Sequence, residues 1–177
     1  DDGVPDEVQN SAILAKANQR LEHGKVALLF DGEKLFLVYN GKVYQYHAVS
    51  GRELIAGRSN PALQRVKNVG PIPEGLYWTG EIQRFENLSL VQKILALRGW
   101  GRWPGGTEPW GTIRTPLTAD KLTETFGRSG FFLHGGAAPG SAGCVDLWND
   151  AERFFAVFVT LPGHVLAPLV VDYPSWP

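Results

Sequence analysis

Lys25-Val26-Ala27-Leu28-Leu29-Phe30-Asp31-Gly32-Glu33-Lys34-Leu35-Phe36-Leu37-Val38-Tyr39-Asn40-Gly41-Lys42-Val43-Tyr44-Gln45-Tyr46-His47-Ala48-Val49 sets the fold class. Three short runs rich in β-branched and aromatic residues, 25–30, 34–39 and 42–49, are separated by Asp31-Gly32 and Asn40-Gly41. Both dipeptides favour the positive φ that a two-residue hairpin turn demands, so the spacing predicts a three-stranded antiparallel meander. In the middle run Leu35, Leu37 and Tyr39 share one face and Phe36 and Val38 the other, which predicts a strand buried on both sides.

Upstream, Val8, Ala12, Ile13, Ala17 and Leu21 recur at helical spacing and predict an amphipathic helix over 5–22 that stops at His23-Gly24. Downstream, residues 50–69 read as a loop with one helical turn after Pro61. Gly70-Pro71-Ile72-Pro73-Glu74-Gly75 is rigid turn chemistry feeding an aromatic strand over 76–79. Leu88, Val91, Ile94, Leu95 and Leu97 predict a helix over 87–98 ending at Gly99. The following Gly/Pro-rich stretch, 99–111, holds Trp100, Trp103 and Trp110. A short strand is expected over 130–133, a helix over 150–159 capped by Asp150 with Phe154, Phe155 and Phe158 on its core face, and a last strand over 165–173. The sum predicts a β-rich α+β chain dominated by antiparallel sheet, with an N-terminal helical segment (1–24) and one folded domain (25–177).

Composition narrows the function. A chain of 177 residues, 44% hydrophobic, suits one compact domain burying ~70% of its unfolded surface. Seventeen basic residues against eighteen acidic ones leave a net charge of −1, so neither nucleic acid nor an anionic membrane is an expected partner. The longest apolar run, 154–161, falls far short of the ~20 residues that span a bilayer, so no membrane insertion is expected. The acidic N-terminus lacks the apolar core of a secretion signal, and the absence of Met marks the chain as a processed or excised product. The single cysteine, Cys144, excludes an intramolecular disulfide. His23, His47 and His164 lack the spacing partners of a zinc site.

The chemistry concentrates in Phe131-Phe132-Leu133-His134-Gly135-Gly136-Ala137-Ala138-Pro139-Gly140-Ser141-Ala142-Gly143-Cys144-Val145-Asp146. A histidine ends an apolar strand, a loop of Gly, Ala, Pro and Ser follows, and the only cysteine closes it. Small residues let such a loop turn its backbone amides toward a ligand. Acyl transfer by cysteine needs a thiolate, a nearby imidazole, and donors for the tetrahedral oxyanion, for which the Gly143 and Cys144 amides are the candidates. Against this stands the plain use of a free cysteine as a small buried hydrophobe. Arg128 and Arg114 are each able to clamp a carboxylate or to sit solvated on the surface. Trp110 and its neighbours are either a lid that stacks on substrate or cover for the core.

His134-Gly135 followed by Ser141-Ala142-Gly143-Cys144-Val145 resembles the signature of YkuD-type L,D-transpeptidases, and residues 71–77, Pro-Ile-Pro-Glu-Gly-Leu-Tyr, resemble that family's Pro-x-Gly-x-Phe/Tyr strand start. The interval of ten from His134 to Cys144, the preceding Gly127-Arg128-Ser129-Gly130, and Asp146 are similar to the L,D-transpeptidase-like effectors of type VI secretion systems. The resemblance implies a β-sandwich or barrel core within 25–177 and a peptidoglycan-directed enzyme acting on tetrapeptide stems. It makes Cys144 the nucleophile, His134 the base and later acid, Ser141 a brace, and Gly143 an oxyanion donor, a route that implies no metal and no cofactor. Arg128, Gly135, Asp146 and Trp110 become substrate-side candidates. Ala142 stands where many housekeeping members have histidine, and Asp146 where they have a basic or amide residue, which points toward hydrolysis or amino-acid exchange. The alternatives are a housekeeping cross-linking enzyme and an inert wall-binding module. The implied setting is a secreted effector acting in a target cell's periplasm, with a cognate immunity protein as partner.

Overall fold

The computed structural model describes residues 24–174, so the helix expected over 5–22 lies outside the described residues. Strands β1 (Ala27–Phe30), β2 (Lys34–Tyr39) and β3 (Lys42–His47) form the expected meander, with Leu37 between Leu28 and Tyr44. Asn40 and Gly41 both take positive φ (48° and 76°), as a type I′ turn requires. The first turn sits one residue later than expected. The Asp31 amide donates to the Lys34 carbonyl, so Gly32 and Glu33 are its centre. Asp31 is held out of the centre because its carboxylate accepts the amides of Glu33 (2.9 Å) and Lys34 (2.8 Å). Leu35, Phe36, Leu37 and Val38 are each at most 1% exposed, so β2 is buried on both faces.

Next come β4 (Leu54–Ile55) and β5 (Arg58–Ser59), a small separate hairpin inside the stretch expected to be loop, and a 3₁₀ turn at Pro61–Leu63. β6 (Gly75–Thr79) and β7 (Gln83–Arg84) precede α1 (Leu90–Leu97), which is shorter than expected because Ser89 caps it by accepting the Gln92 amide. Its apolar spacing does not face the core: Val91, Ile94 and Leu97 are exposed and only Ala96 is buried. The short α2 (Thr107–Trp110) and the strand β8 (Ile113–Ala119) follow, then β9 (Phe131–His134), β10 (Val145–Asp146), α3 (Ala151–Phe158) and β11 (Pro168–Val171). Asp150 precedes α3 but makes no side-chain cap. Its carboxylate instead accepts the His47 amide (2.7 Å) and pairs with Arg153 (3.0 Å), tying β3 to the helix.

The main sheet runs β10-β9-β8-β6-β11-β1-β2-β3, with β7 on β8, and curls into a half-barrel. Two pairs, β1–β11 and β9–β10, are parallel and the rest antiparallel, so the fold is α+β and β-rich as expected, built on one curled sheet. Phe154, Phe155 and Phe158 of α3 fill the concave side against Leu28, Phe30, Leu35, Leu37 and Leu133. Leu29, Phe36 and Val38 form a second, smaller cluster on the other face.

Candidate functional site

Strand register builds the site. Arg114 on β8 pairs with His134 on β9, and His134 pairs with Asp146 on β10. Paired side chains in a sheet point to one face, so these three ionisable groups form a row across three strands. The alternate residues of the same strands, Leu117, Phe131, Leu133 and Val145, point to the core. Cys144 lies one residue before β10, against the backbone amide of Phe132. Arg114, His134, Cys144 and Asp146 are all buried. The structure thus places His134 at the end of β9 and Cys144 just ahead of its neighbour β10, at one edge of the sheet.

His134 Nδ1 lies 2.5 Å from the Gly135 carbonyl oxygen. A carbonyl only accepts, so Nδ1 carries the proton and Nε2 keeps its lone pair. Burial holds the imidazole down to about 4; the Gly135 carbonyl opposes this and the Arg114 charge reinforces it. Trp110 covers the ring at 5.0 Å between centroids. Burial pushes the Cys144 thiol up to about 12, countered first by the Phe132 amide. Asp146 adds to the rise, while Arg114 and Arg128 pull against it. Burial thus disfavours the charged form of both the Cys144 thiol and the His134 imidazole.

The intervening loop is fastened at several points. Ser141 Oγ donates to the Cys144 carbonyl (2.6 Å), and the Ser141 amide donates to Gly51 (3.3 Å). The Ala137 amide donates to Glu108 (2.7 Å), and the Trp148 indole donates to the Ala137 carbonyl (3.0 Å). Gly143 has φ 106°, and a Cβ there would stand 2.5 Å from Arg128 Nη2. A Cβ on Gly135 would fall 2.3 Å from that of Ala151, so this glycine is required for packing against α3. Arg128 is neither solvated nor idle: it is 5% exposed and donates to Gln64 (2.5 Å), Pro71 (2.7 Å) and Gly70 (2.9 Å), all carbonyls. It latches the 64–71 segment behind the Gly143 turn.

Asp146 Oδ1 accepts the Trp148 amide (2.8 Å), whereas Oδ2 is buried without a partner among the described residues. Burial raises this carboxyl to about 6 against the pull of the Trp148 and Gly140 amides. The tryptophans divide. Trp100 is exposed, Trp103 is buried with its indole on the Gly111 carbonyl (3.1 Å), and Trp110 is half-buried with its indole on Pro104 (2.9 Å). Trp148, which braces the loop from outside, carried no signal in the sequence. No group of three or more His, Cys, Asp or Glu able to hold a metal ion occurs among the described residues.

The profile of the Tlde1 domain matches residues 44–167, which is most of the chain. The chain belongs to the Tlde1 domain family. This is the L,D-transpeptidase-like family of type VI effectors, directed at peptidoglycan. Among solved structures the chain is similar to an L,D-transpeptidase from Xylanimonas cellulosilytica, at 16% identity and a TM-score of 0.43, over 91% of this chain and 68% of that one. No curated protein sequence matches it. No described helix of this Tlde1-family chain is long and apolar enough to cross a membrane.

Proposed function

We propose that this chain is a cysteine acyl-transfer enzyme that trims or exchanges the terminal D-alanine of peptidoglycan tetrapeptide stems. The observation that carries the reading is the strand pairing that sets His134, with its Nε2 lone pair free, beside the strand that directly follows Cys144. In this reading His134 Nε2 takes the thiol proton as Cys144 Sγ attacks the carbonyl of the third stem residue, typically diaminopimelate. The Gly143 and Cys144 amides receive the oxyanion, and Ser141 braces the turn that aims them. Protonated His134 returns the proton to the departing D-alanine amine, and a thioester on Cys144 remains. Water resolves it as a carboxypeptidase, a free D-amino acid as an exchange enzyme, and a second stem's amine as a cross-linker. Burial that disfavours both charged forms suits this general-base route, because the proton moves only during attack. The catalytic domain is then 25–177, with 1–24 a separate segment; the site of action is the periplasm of a target bacterium, and a cognate immunity protein covers the His134/Cys144 cleft.

The test is mass spectrometry of purified tetrapeptide muropeptides. Wild type releases D-alanine, incorporates an added D-amino acid, or both, and Cys144→Ala abolishes this by 10³-fold or more, by analogy with other nucleophile deletions. Trimming by Cys144→Ala at the wild-type rate defeats the reading, and predominantly dimeric products would identify a cross-linking enzyme. The burial that pushes the Cys144 thiol up to about 12 favours a second reading, an inert wall-binding module. Wild-type protein that binds stems, leaves them intact and resists alkylation up to pH 10 would establish that alternative.

A further inference from the structure

We infer that Arg114 is the binding site for the terminal carboxylate of the stem, so that the site takes a chain end rather than an internal peptide bond. This deepens the acyl-transfer reading and rests on it. Arg114 is 3% exposed, and no carboxylate among the described residues pairs with it. Its guanidinium lies in an aromatic cage, with its carbon 4.0 Å from the Trp103 ring, 4.3 Å from Phe132 and 4.6 Å from Trp110. Of its five N–H donors, Nε reaches Gln83 Oε1 (2.9 Å) and Nη2 the Arg102 carbonyl (2.5 Å), while Nη1 has no partner among the described residues. Burial draws its pKa down to about 10, opposed by the neighbouring Cys144 and reinforced by the like charge of Arg102.

A buried cation with donors to spare and no carboxylate beside it among the described residues is suited to receive an anion. The position decides which anion. Arg114 stands opposite His134 on the side away from Asp146, so a carboxylate held there lies beside the imidazole. In a tetrapeptide stem the carboxylate nearest the attacked carbonyl is the one that ends the chain, about one residue's span (~3.5 Å) beyond it. Arg128, the other buried guanidinium, is occupied by three carbonyls and does not compete for it. Trp110, which touches both the Arg114 guanidinium and the His134 ring, couples carboxylate binding to the orientation of the base.

The experiment compares two tetrapeptide stems, one ending in D-alanine and one in D-alanine amide, by calorimetry on Cys144→Ala protein, where no turnover intervenes. The acid is expected to bind about 10- to 100-fold more tightly, the range of a charge-assisted pair. Arg114→Gln on that background is expected to bring the ratio close to one, and Arg114→Lys, which keeps the charge but loses the fork, to leave an intermediate ratio. The acid-to-amide ratio of the unaltered 114 position stands even if a variant fails to fold. Equal binding of acid and amide, or a ratio that survives Arg114→Gln, overturns the assignment; wild-type release of D-alanine alongside either result leaves the acyl-transfer reading intact. A wild type that neither binds nor cleaves the acid stem overturns both.

Discussion

The two ends of the curled sheet are built from the same kind of strand and solve opposite problems. At the meander end β2 has Leu35, Phe36, Leu37 and Val38 buried on both faces, with apolar neighbours on either side. At the other end β8, β9 and β10 keep one apolar face in the core and bury Arg114, His134, Asp146 and Cys144 on the other. The first end converts burial into stability. The second spends part of that stability, because burying an uncompensated charge or an unpartnered oxygen is unfavourable wherever it occurs.

That contrast can be broken most forcefully at Leu37, which touches the core from a fully buried strand. Leu37→Ala is expected to lower stability by about 2–5 kcal/mol in a denaturant titration, while kcat/KM per folded molecule stays near wild type. A parallel fall in specific activity would show that the two ends are coupled. Gly143→Ala should act the other way round, costing activity more than stability. Its φ of 106° disfavours any side chain, and the Arg128 Nη2 that its Cβ would strike is pinned by neighbouring carbonyls and gives way only by moving the latch. A loss of roughly 10²-fold in kcat is expected, the scale of a misplaced oxyanion donor. Unchanged kcat would remove Gly143 from that role.

The smallest effect concerns pH. Asp146, raised to about 6, binds protons more readily in the native than in the unfolded chain, so its ionised form is destabilising above pH 6 and the penalty disappears as pH falls toward 4. His134, lowered to about 4, has the opposite sign: the unfolded chain gains its proton first, so stability falls from about pH 6.5 toward 4. The two largely offset one another in wild type. Asp146→Asn is expected to raise Tm at pH 7.5 by a few degrees and to lose that gain on acidification, as only the His134 effect remains. A gain that persists at pH 4 would mean that the cost at Asp146 is steric rather than ionic.

Much of this contrast was legible in the sequence, and unevenly. The meander follows from local chemistry, since Asn40-Gly41 admits one turn and alternating apolar residues admit one register. The interval from His134 to Cys144 is also local, and its small residues mark the loop directly. What escaped was set by tertiary contacts. β8 carries Pro116 in mid-strand, which argues against a strand unless a neighbour does not need that amide. β10 has two residues, too few for any periodicity, yet it aligns Asp146 with His134. The apolar spacing of α1 correctly signals a helix, but spacing alone does not say that Val91, Ile94 and Leu97 remain outside. Arg128 reads as an ordinary surface arginine until Gln64, Gly70 and Pro71 fold around it.

The parallel pairing of β9 and β10 carries one more consequence. Because β10 runs parallel to β9, the chain leaving His134 must quit the sheet and return one strand spacing away, about 5 Å, to run in the same direction. Ten residues, 135–144, make that crossover, fewer than the dozen or so such a connection usually takes, so the loop has little length to spare. A deletion around Pro139 would therefore pull on both strand ends, and with them on the histidine and the cysteine.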